Sequence, residues 1–269
     1  MPVTVLHVED FKKPPQKTTK EKAEEGKEES ASPLKEAATE GAKQGHRSAQ
    51  EEKGEDKPEK VDVSERKERK LDDAVAKEGD KGYDLLFIGL KKMHFADGSF
   101  TEEVDKAATG FDGPLALTCA GDDPDLFKGE GFNILVPVNG TEASRRGAEL
   151  AFAISSARKG NVVALNVAER AASNGAKRSS RPSALRKRVE KAVLEDAVEL
   201  AARYGYDKIK TSVHTDVAPD VAIIEEAERN DTDIIVIGAS RRVGEELYLG
   251  QTVGCVLQKW KGAIILVIT

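Results

Sequence analysis

The sequence has little of what disulfide-rich, metal-binding or nucleic-acid-binding proteins depend on. It contains two cysteines and four histidines in 269 residues, and neither residue type recurs at the spacing of a metal site. No apolar run approaches the roughly 18 residues that a membrane-spanning helix requires. The formal net charge is -6, so no basic field would attract DNA or RNA. We therefore expect no nucleic-acid partner and no intrinsic metal site.

The sequence also lacks the usual catalytic motifs. It has no GxxxxGK(S/T) phosphate loop and no GxSxG nucleophile turn. The segment Gly129-Glu130-Gly131 lacks a third glycine and precedes a strand, so it is not a dinucleotide fingerprint. His7 and His214 end strand-like runs and are predicted to be packed or rim residues. Cys119 and Cys255 adjoin apolar residues and are predicted to be buried, reduced thiols. These observations predict a protein that is not an enzyme.

Large apolar residues are scarce in one long segment. Between Phe11 and Val61 the only large aliphatic residue is Leu34. Such a stretch buries too little apolar surface to offset the loss of chain entropy, so we predict a disordered insert at about 12–62. Its acidic and basic residues nearly cancel, which argues against both a basic arm and an acidic tail.

The rest of the sequence contains an internal repeat with an offset of about 149 residues. Tyr83–Gly89 resembles Thr232–Gly238, and Pro114–Leu117 falls on Ala263–Leu266 without a gap. A period this long indicates two copies of one domain. We predict a first domain at 1–120, a linker at 121–130 and a second domain at 131–269.

Apolar runs alternate with amphipathic segments in both copies. In the second copy the pattern predicts strands at 133–138, 161–167, 208–214, 233–238 and 263–268, and helices at 142–158, about 184–204, 218–229 and 251–260. In the first copy it predicts strands at 3–8, 85–89 and 114–118, and helices at 65–80 and 101–109. Continuous apolar strands between helices predict an α/β fold, an open parallel sheet with helices on both faces.

Candidate ligand residues follow strands of the second copy, because open α/β sheets bind ligands beyond the carboxyl ends of their strands. Glycines let the main chain approach a phosphate, and free N–H groups at a helix start attract anions. Arginines add charge-assisted hydrogen bonds. The candidate nucleotide-binding residues are Asn139, Gly140, Thr141, Gly238, Arg241, Arg242, Gly250, Gln251, Thr252 and Val253.

These residues resemble the universal stress protein family. Its signature is a strand ending Val-Pro-Val-Asp-Gly-Ser and a later Gly-x2-Gly-x9-Gly-(Ser/Thr) loop that wraps ATP phosphates. Here Asn139 stands in place of Asp, Arg241 occupies the second glycine position, and the spacer to Gly250 is one residue short. The resemblance implies two adenine nucleotide alpha hydrolase-like domains packed face to face, with strand order 3-2-1-4-5 in a complete copy. It leaves two alternatives open: a site for ATP or another adenine nucleotide, with magnesium only on the nucleotide, or a degenerate loop.

The first copy differs at the position that would hold phosphate. Thr101-Glu102-Glu103 aligns with Gly250-Gln251-Thr252. Two carboxylates at a helix start would repel phosphate, so we predict that the first copy binds no nucleotide.

The first copy also has no equivalent of the strand Ile134–Val138, so we expect it to be incomplete and the sequence to be part of a longer protein. Tandem domains of this kind resemble the cytoplasmic C-terminal region of bacterial cation/proton (Na+/H+) antiporters. This implies a regulatory module at the inner face of the membrane, whose partner is the transporter's membrane domain. The alternative is a free-standing cytoplasmic tandem stress protein. A homodimer through the stress domains is a further expectation.

Overall fold

A computed structural model describes residues 4–8, 62–66, 85–90, 92–94, 100–109, 111, 113–121, 131–168, 184–241 and 249–269. The chain divides into two compact units, Met1–Ala74 and Val75–Thr269. The first unit contains the strands β1 (Thr4–Val8) and β2 (Asp62–Arg66). They pair in parallel, with Val5 opposite Val63.

β2 overturns the start of the helix predicted over 65–80, because Glu65 and Arg66 belong to this strand. The sequence Asp-Val-Ser-Glu-Arg has no strong strand pattern, and its extended form depends on the pairing with β1. The remainder of that predicted helix and nearly all of the predicted insert at 12–62 lie outside the described residues.

Within its described residues, the second unit contains twelve further elements in α/β alternation. They are β3 (Leu86–Gly89), α1 (Glu102–Thr109), β4 (Leu115–Cys119), β5 (Asn133–Pro137), α2 (Glu142–Arg158), β6 (Asn161–Ala168), α3 (Ala184–Arg203), β7 (Ile209–Thr215), α4 (Pro219–Arg229), β8 (Ile234–Ala239), α5 (Gln251–Lys259) and β9 (Ala263–Ile268).

Strands β3 to β9 form a seven-stranded sheet in the order β3-β4-β9-β8-β5-β6-β7. Every neighbouring pair is parallel except β4 and β9, which are antiparallel. The strands of the second copy therefore have the expected order 3-2-1-4-5, which confirms the α/β universal-stress-like fold. All six residues of β9 are buried, as is typical of a strand covered on both faces.

The helices of the second copy form two packed pairs, α2 with α3 and α4 with α5. From β5 to β7 each new strand is added on one side of β5, whereas β8 and β9 are added on the other side. Right-handed crossovers therefore place the two helix pairs on opposite faces of the sheet. Under α2 and α3 the core is built from buried side chains of five strands (β4, β5, β6, β8 and β9) and both helices, including Ile134, Val136, Phe152, Val162 and Leu200. Each such side chain contributes about 1.5–3 kcal/mol when it is removed from water.

Tyr206 joins the turn between α2 and β6 to this core through ring packing and hydrogen bonds. Its ring stacks on Phe152 with 6.0 Å between centroids. Its hydroxyl accepts a hydrogen bond from the N–H of Val162 at 2.9 Å and donates one to the oxygen of Gly160 at 3.0 Å. A Cβ at Gly160 would lie 2.9 Å from the nitrogen of Phe132, so only glycine fits this turn.

The internal repeat is visible in the element boundaries. α1 begins at Glu102 and α5 at Gln251, positions related by the sequence offset of about 149 residues. β3 and β4 likewise correspond to β8 and β9. Because β4 pairs with β9, the strands β3 and β4 meet the second copy edge to edge in one sheet, and not face to face as expected. The structure thus groups strands from both sides of the predicted linker at 121–130, and the predicted domain boundaries stay predictions.

Two further details concern exposure. Cys119 and Cys255 form no disulfide bond and are half-buried, so the prediction that both are buried is wrong. Among the described residues, no helix is long and apolar enough to cross a membrane.

Candidate functional site

The first candidate segment is the loop that connects β5 to α2. Gly140 has a φ of +81°, a backbone conformation that glycine adopts without strain. Thr141 caps α2, and its hydroxyl accepts a hydrogen bond from the N–H of Ser144 at 3.3 Å. The side-chain oxygen of Asn139 accepts from the N–H of Thr141 at 3.1 Å and from its hydroxyl at 2.7 Å.

These bonds decide what Asn139 offers a ligand. Its carbonyl oxygen is committed to the turn, whereas its side-chain nitrogen carries two donor hydrogens and the residue is exposed. The aspartate of the family motif carries no such donors. The substitution therefore leaves the turn intact and presents N–H groups where the motif presents a carboxylate.

The second candidate segment begins at Gly238 near the end of β8. A Cβ at Gly238 would overlap the carbonyl group of Ala143 and lie 2.7 Å from the nitrogen of Ser144. A Cβ at Gly147 would in turn lie 3.2 Å from the nitrogen of Gly238. The first turns of α2 thus cross β8 at a point where both elements lack a side chain. This close approach explains the glycine at 238 without a nucleotide.

Arg241 follows Gly238 at the same edge of the sheet and is half-buried. Its guanidinium Nη2 donates to the main-chain oxygen of Phe111 at 2.8 Å, in the connection between α1 and β4. Its main-chain N–H donates to the oxygen of Thr269 at 3.0 Å. The side chain expected to contact phosphate therefore already contacts the first repeat copy. Arg242 lies outside the described residues.

The third candidate segment is the start of α5. Gly250 caps this helix with a φ of +96°, and among the described residues no atom lies within 4 Å of the position that a Cβ would occupy. No side chain caps the helix and its first turn holds no acidic residue. Gln251 is exposed, Thr252 half-buried and Val253 buried, so Val253 could contribute only its main-chain N–H. Such a helix start carries unpaired N–H groups and a partial positive charge.

The equivalent helix of the first copy has the opposite charge at its start. Glu102, Glu103 and Asp105 lie in the first turn of α1, and Glu102 forms an ion pair with Lys106 at 2.6 Å. Thr101 is buried, and its hydroxyl donates to the oxygen of Lys92 at 3.2 Å. The carboxylates predicted to repel phosphate are therefore at the helix start.

The structure brings two of the three segments into contact. The loop 139–141 leads directly into the turn of α2 that touches Gly238, and β5 pairs with β8. α5 returns the chain from β8 to β9, so it begins at the same carboxyl edge of the sheet. The described candidate residues thus lie at one edge of the sheet, and their role in binding a ligand stays a prediction.

A cavity of about 120 Å³ lies on the α2–α3 side of this edge. Val138, Gly140, Thr141, Arg145 and Asp196 are among its lining residues. Arg145 and Asp196 form an ion pair at 3.1 Å, which the sequence pattern did not reveal. Sites for drug-sized ligands usually exceed about 300 Å³, so this cavity is too small for a nucleotide in the shape it has here.

A buried polar cluster lies away from this edge, between β7 and α4. His214 Nε2 lies 2.8 Å from a carboxylate oxygen of Glu226, and Arg229 and Asn230 donate to the same carboxylate. Burial raises the pKa of Glu226, but hydrogen bonds from His214, Ser212 and Asn230 and the charge of Arg229 outweigh it and hold the pKa below its ordinary value. The histidine side chain is 11% exposed, which confirms it as a packed residue.

The fold is an open α/β sheet, and the candidate segments follow the carboxyl ends of β5 and β8, where such sheets usually bind ligands. The Universal stress protein family matches residues 132–267, about half of the chain. The chain therefore belongs to the universal stress protein family.

Several solved structures are similar to this chain. A universal stress protein from Archaeoglobus fulgidus DSM 4304 is 12% identical with a TM-score of 0.52, covering 77% of this chain and 69% of its own. UspA from Lactobacillus plantarum is 20% identical with a TM-score of 0.39, and the match covers 52% of this chain and 99% of UspA. The Archaeoglobus fulgidus universal stress protein in complex with dAMP is 18% identical with a TM-score of 0.40, and the match covers 51% of this chain and 97% of that protein. The first of these supports the fold. No curated protein matches this chain.

Proposed function

We propose that the second repeat copy binds an adenine nucleotide and acts as a non-catalytic regulatory module, in the manner of a universal stress protein. The observation that carries the proposal is the start of α5. Gly250 supplies a backbone conformation open to a ligand, and the helix begins without an acidic residue or a side-chain cap. Phosphate is the anion that such a helix start accommodates best when glycine precedes it.

The contrast between the two copies supports this assignment. α1 and α5 are equivalent helices, yet α1 has three acidic residues in its first turn and α5 has none. A difference confined to packing would not require opposite charge at the exposed start of equivalent helices. We assign nucleotide binding to the second copy alone.

The residues around α5 suit the phosphate end of a nucleotide better than a metal. Gln251 and Thr252 carry side-chain donors at the helix start, and the side-chain nitrogen of Asn139 can donate to a ribose or base. Within the described part of the chain, no group of three or more His, Cys, Asp or Glu residues could hold a metal ion. Magnesium carried on the nucleotide stays a prediction.

Attachment to a cation/proton antiporter stays a prediction, because neither the family match nor the structural similarities bear on it. A free-standing stress protein agrees better with those comparisons. The expected homodimer also stays a prediction. Because β9 pairs with both β8 and β4, such a dimer would have to use another surface.

The test is calorimetric titration of the full chain with ATP, dAMP and cAMP, followed by the Thr252→Glu variant. Thr252 is the counterpart of Glu103, so the variant gives α5 the charge that α1 already has. We expect binding to be lost, since a carboxylate would occupy the phosphate position. Gln258→Glu is the matched control, because Gln258 is exposed in the last turn of the same helix. If the unaltered protein releases no heat with any of the three nucleotides, the proposal is wrong.

A further inference from the structure

Arg241 ties the segment after β8 to the first repeat copy. Its Nη2 donates to the main-chain oxygen of Phe111 at 2.8 Å, a hydrogen bond between residues 130 positions apart. Its main-chain N–H is held by Thr269 at 3.0 Å. Arg241 is thus fixed through both its main chain and its side chain immediately before the segment that leads to α5.

The main chain at Phe111 is itself fixed by packing. Phe111 is buried, and its ring covers Gly113, where a Cβ would lie 2.7 Å from Cε1 of the ring. The second copy repeats the arrangement, since a Cβ at Gly262 would lie 2.6 Å from Cζ2 of Trp260. Both copies therefore have an aromatic residue that closes over a glycine two positions later, ahead of the last strand.

Among the described residues, the side-chain hydrogen bond between the copies runs from Arg241 of the second copy to Phe111 of the first, and the counterpart residues do not form the reverse bond. The repeat counterpart of Arg241 is Lys92, whose side chain is exposed. The indole nitrogen of Trp260, the counterpart of Phe111, donates to Ala263 within its own copy at 2.9 Å. In the described part of the chain, an arginine of the second copy, where we place the nucleotide, donates to the main chain of the first, and no arginine of the first copy makes the reverse contact. Arg241 stands at the position of the second glycine of the phosphate-loop motif.

We propose that Arg241 is a positioning residue through which the first repeat copy sets the nucleotide affinity of the second. This inference rests on the proposed function. In this role the guanidinium acts through its bond to the Phe111 carbonyl and not as a phosphate ligand. It fixes the carboxyl end of β8, at the edge of the sheet where α5 also begins. The copy that Glu102 and Glu103 prevent from binding nucleotide thereby acts as the regulator of the copy that can bind it.

Two variants disturb the link from opposite ends. Arg241→Gln removes the charge and shortens the donor, whereas Gly113→Ala pushes the Phe111 ring aside without altering Arg241. We expect each to weaken ATP binding by the same factor, about fivefold or more, as is typical of coupling between sites. Adenosine binding should weaken less, because the start of α5 is assigned to the phosphates. The double variant should be little weaker than either single variant, because both break one interaction.

Gly262→Ala is the matched control, since it crowds Trp260 as Gly113→Ala crowds Phe111 but lies outside the Arg241 link. We expect its nucleotide affinity to stay within about twofold of the unaltered protein, because it leaves the coupling intact. Thermal melting of every variant establishes that it is folded. If Gly113→Ala does not fold, Phe111→Leu, which removes the same packed ring, takes its place. Loss of ATP affinity in Arg241→Gln that the first-copy variant does not reproduce would identify Arg241 as a phosphate ligand and overturn the proposal.

Hydrogen exchange tests the link without any nucleotide. Arg241→Gln should accelerate exchange in β4 and at the carboxyl end of β8 together, and unchanged exchange in β4 would overturn the proposal. If the unaltered protein binds neither ATP nor adenosine, the proposed function fails together with the effect on affinity. Normal binding that Arg241→Gln leaves unchanged refutes only the role of Arg241.

Discussion

Leu117 faces Leu266 at the centre of the antiparallel pair formed by β4 and β9, and these two residues are counterparts in the repeat. The flanking register is self-complementary in the same way, with Leu115 opposite Ile268 and Cys119 opposite Ile264. A two-fold axis relating two identical domains would produce this pairing. The chain thus contains, within one polypeptide, a contact of the kind that joins two copies of one domain.

Leu117→Ala tests how much this central contact stabilises the fold. Both leucines are fully buried, so the truncation should lower the free energy of unfolding by about 2–5 kcal/mol through lost burial and a cavity. Chemical denaturation measures the loss. Val189→Ala, at a side chain that is 56% exposed, should change stability by less than about 0.5 kcal/mol. Equal losses in the two variants would contradict a packed centre between the copies.

Gly238→Ala tests whether this glycine serves helix packing. An added Cβ would overlap the main chain of α2, which cannot shift as a side chain can, so we expect a loss of stability beyond the usual 1–3 kcal/mol for overpacking. Gly254→Ala is the control, because a Cβ there meets nothing within 4 Å and alanine favours a helix by up to about 1 kcal/mol. A Gly238→Ala protein that melts normally but binds no nucleotide would instead show that Gly238 serves the ligand.

Tyr206→Phe tests the turn before β6. The variant keeps the ring on Phe152 but leaves the buried N–H of Val162 and the oxygen of Gly160 without the hydroxyl. Leaving such groups unpaired should cost about 1–3 kcal/mol in a denaturant titration. Tyr204→Phe, at a ring that is 39% exposed, should cost almost nothing. The role of the hydroxyl would be disproved by equal stabilities of the two variants.

Glu226 predicts a pH dependence of stability. Its pKa in the folded protein lies below the ordinary value, because hydrogen bonds and the charge of Arg229 outweigh the opposing effect of burial. Its contribution is therefore fully present above the unfolded-state pKa and is lost as the pH falls through the folded-state pKa. Glu226→Gln should be less stable near neutral pH and lose less stability on acidification. Glu225→Gln, at an exposed neighbour, should retain the acid sensitivity of the unaltered protein.

The second copy was largely predictable because its strands are short continuous apolar runs. The helix at 142–158 and the strand at 263–268 have the predicted bounds. The other helices and strands of this copy begin and end within a few residues of their predicted bounds. β2 was not predictable, since its polar sequence becomes a strand only beside β1. The candidate residues were found as a set, but their contacts were not. Asn139 and Arg241 are both committed to neighbours that a motif does not reveal.

The sequence by itself determined the repeat and the α/β class, because apolar periodicity and the offset between copies are properties of the linear chain. The strand order of the second copy was implied by the resemblance to the universal stress protein family. Only the tertiary structure decided that β4 joins β9 in antiparallel register and that Gly238 admits the backbone of α2. It also decided that Glu226 is buried among donors from β7 and α4. These relationships join residues far apart in sequence, and their energies depend on which partner each group meets when water is excluded.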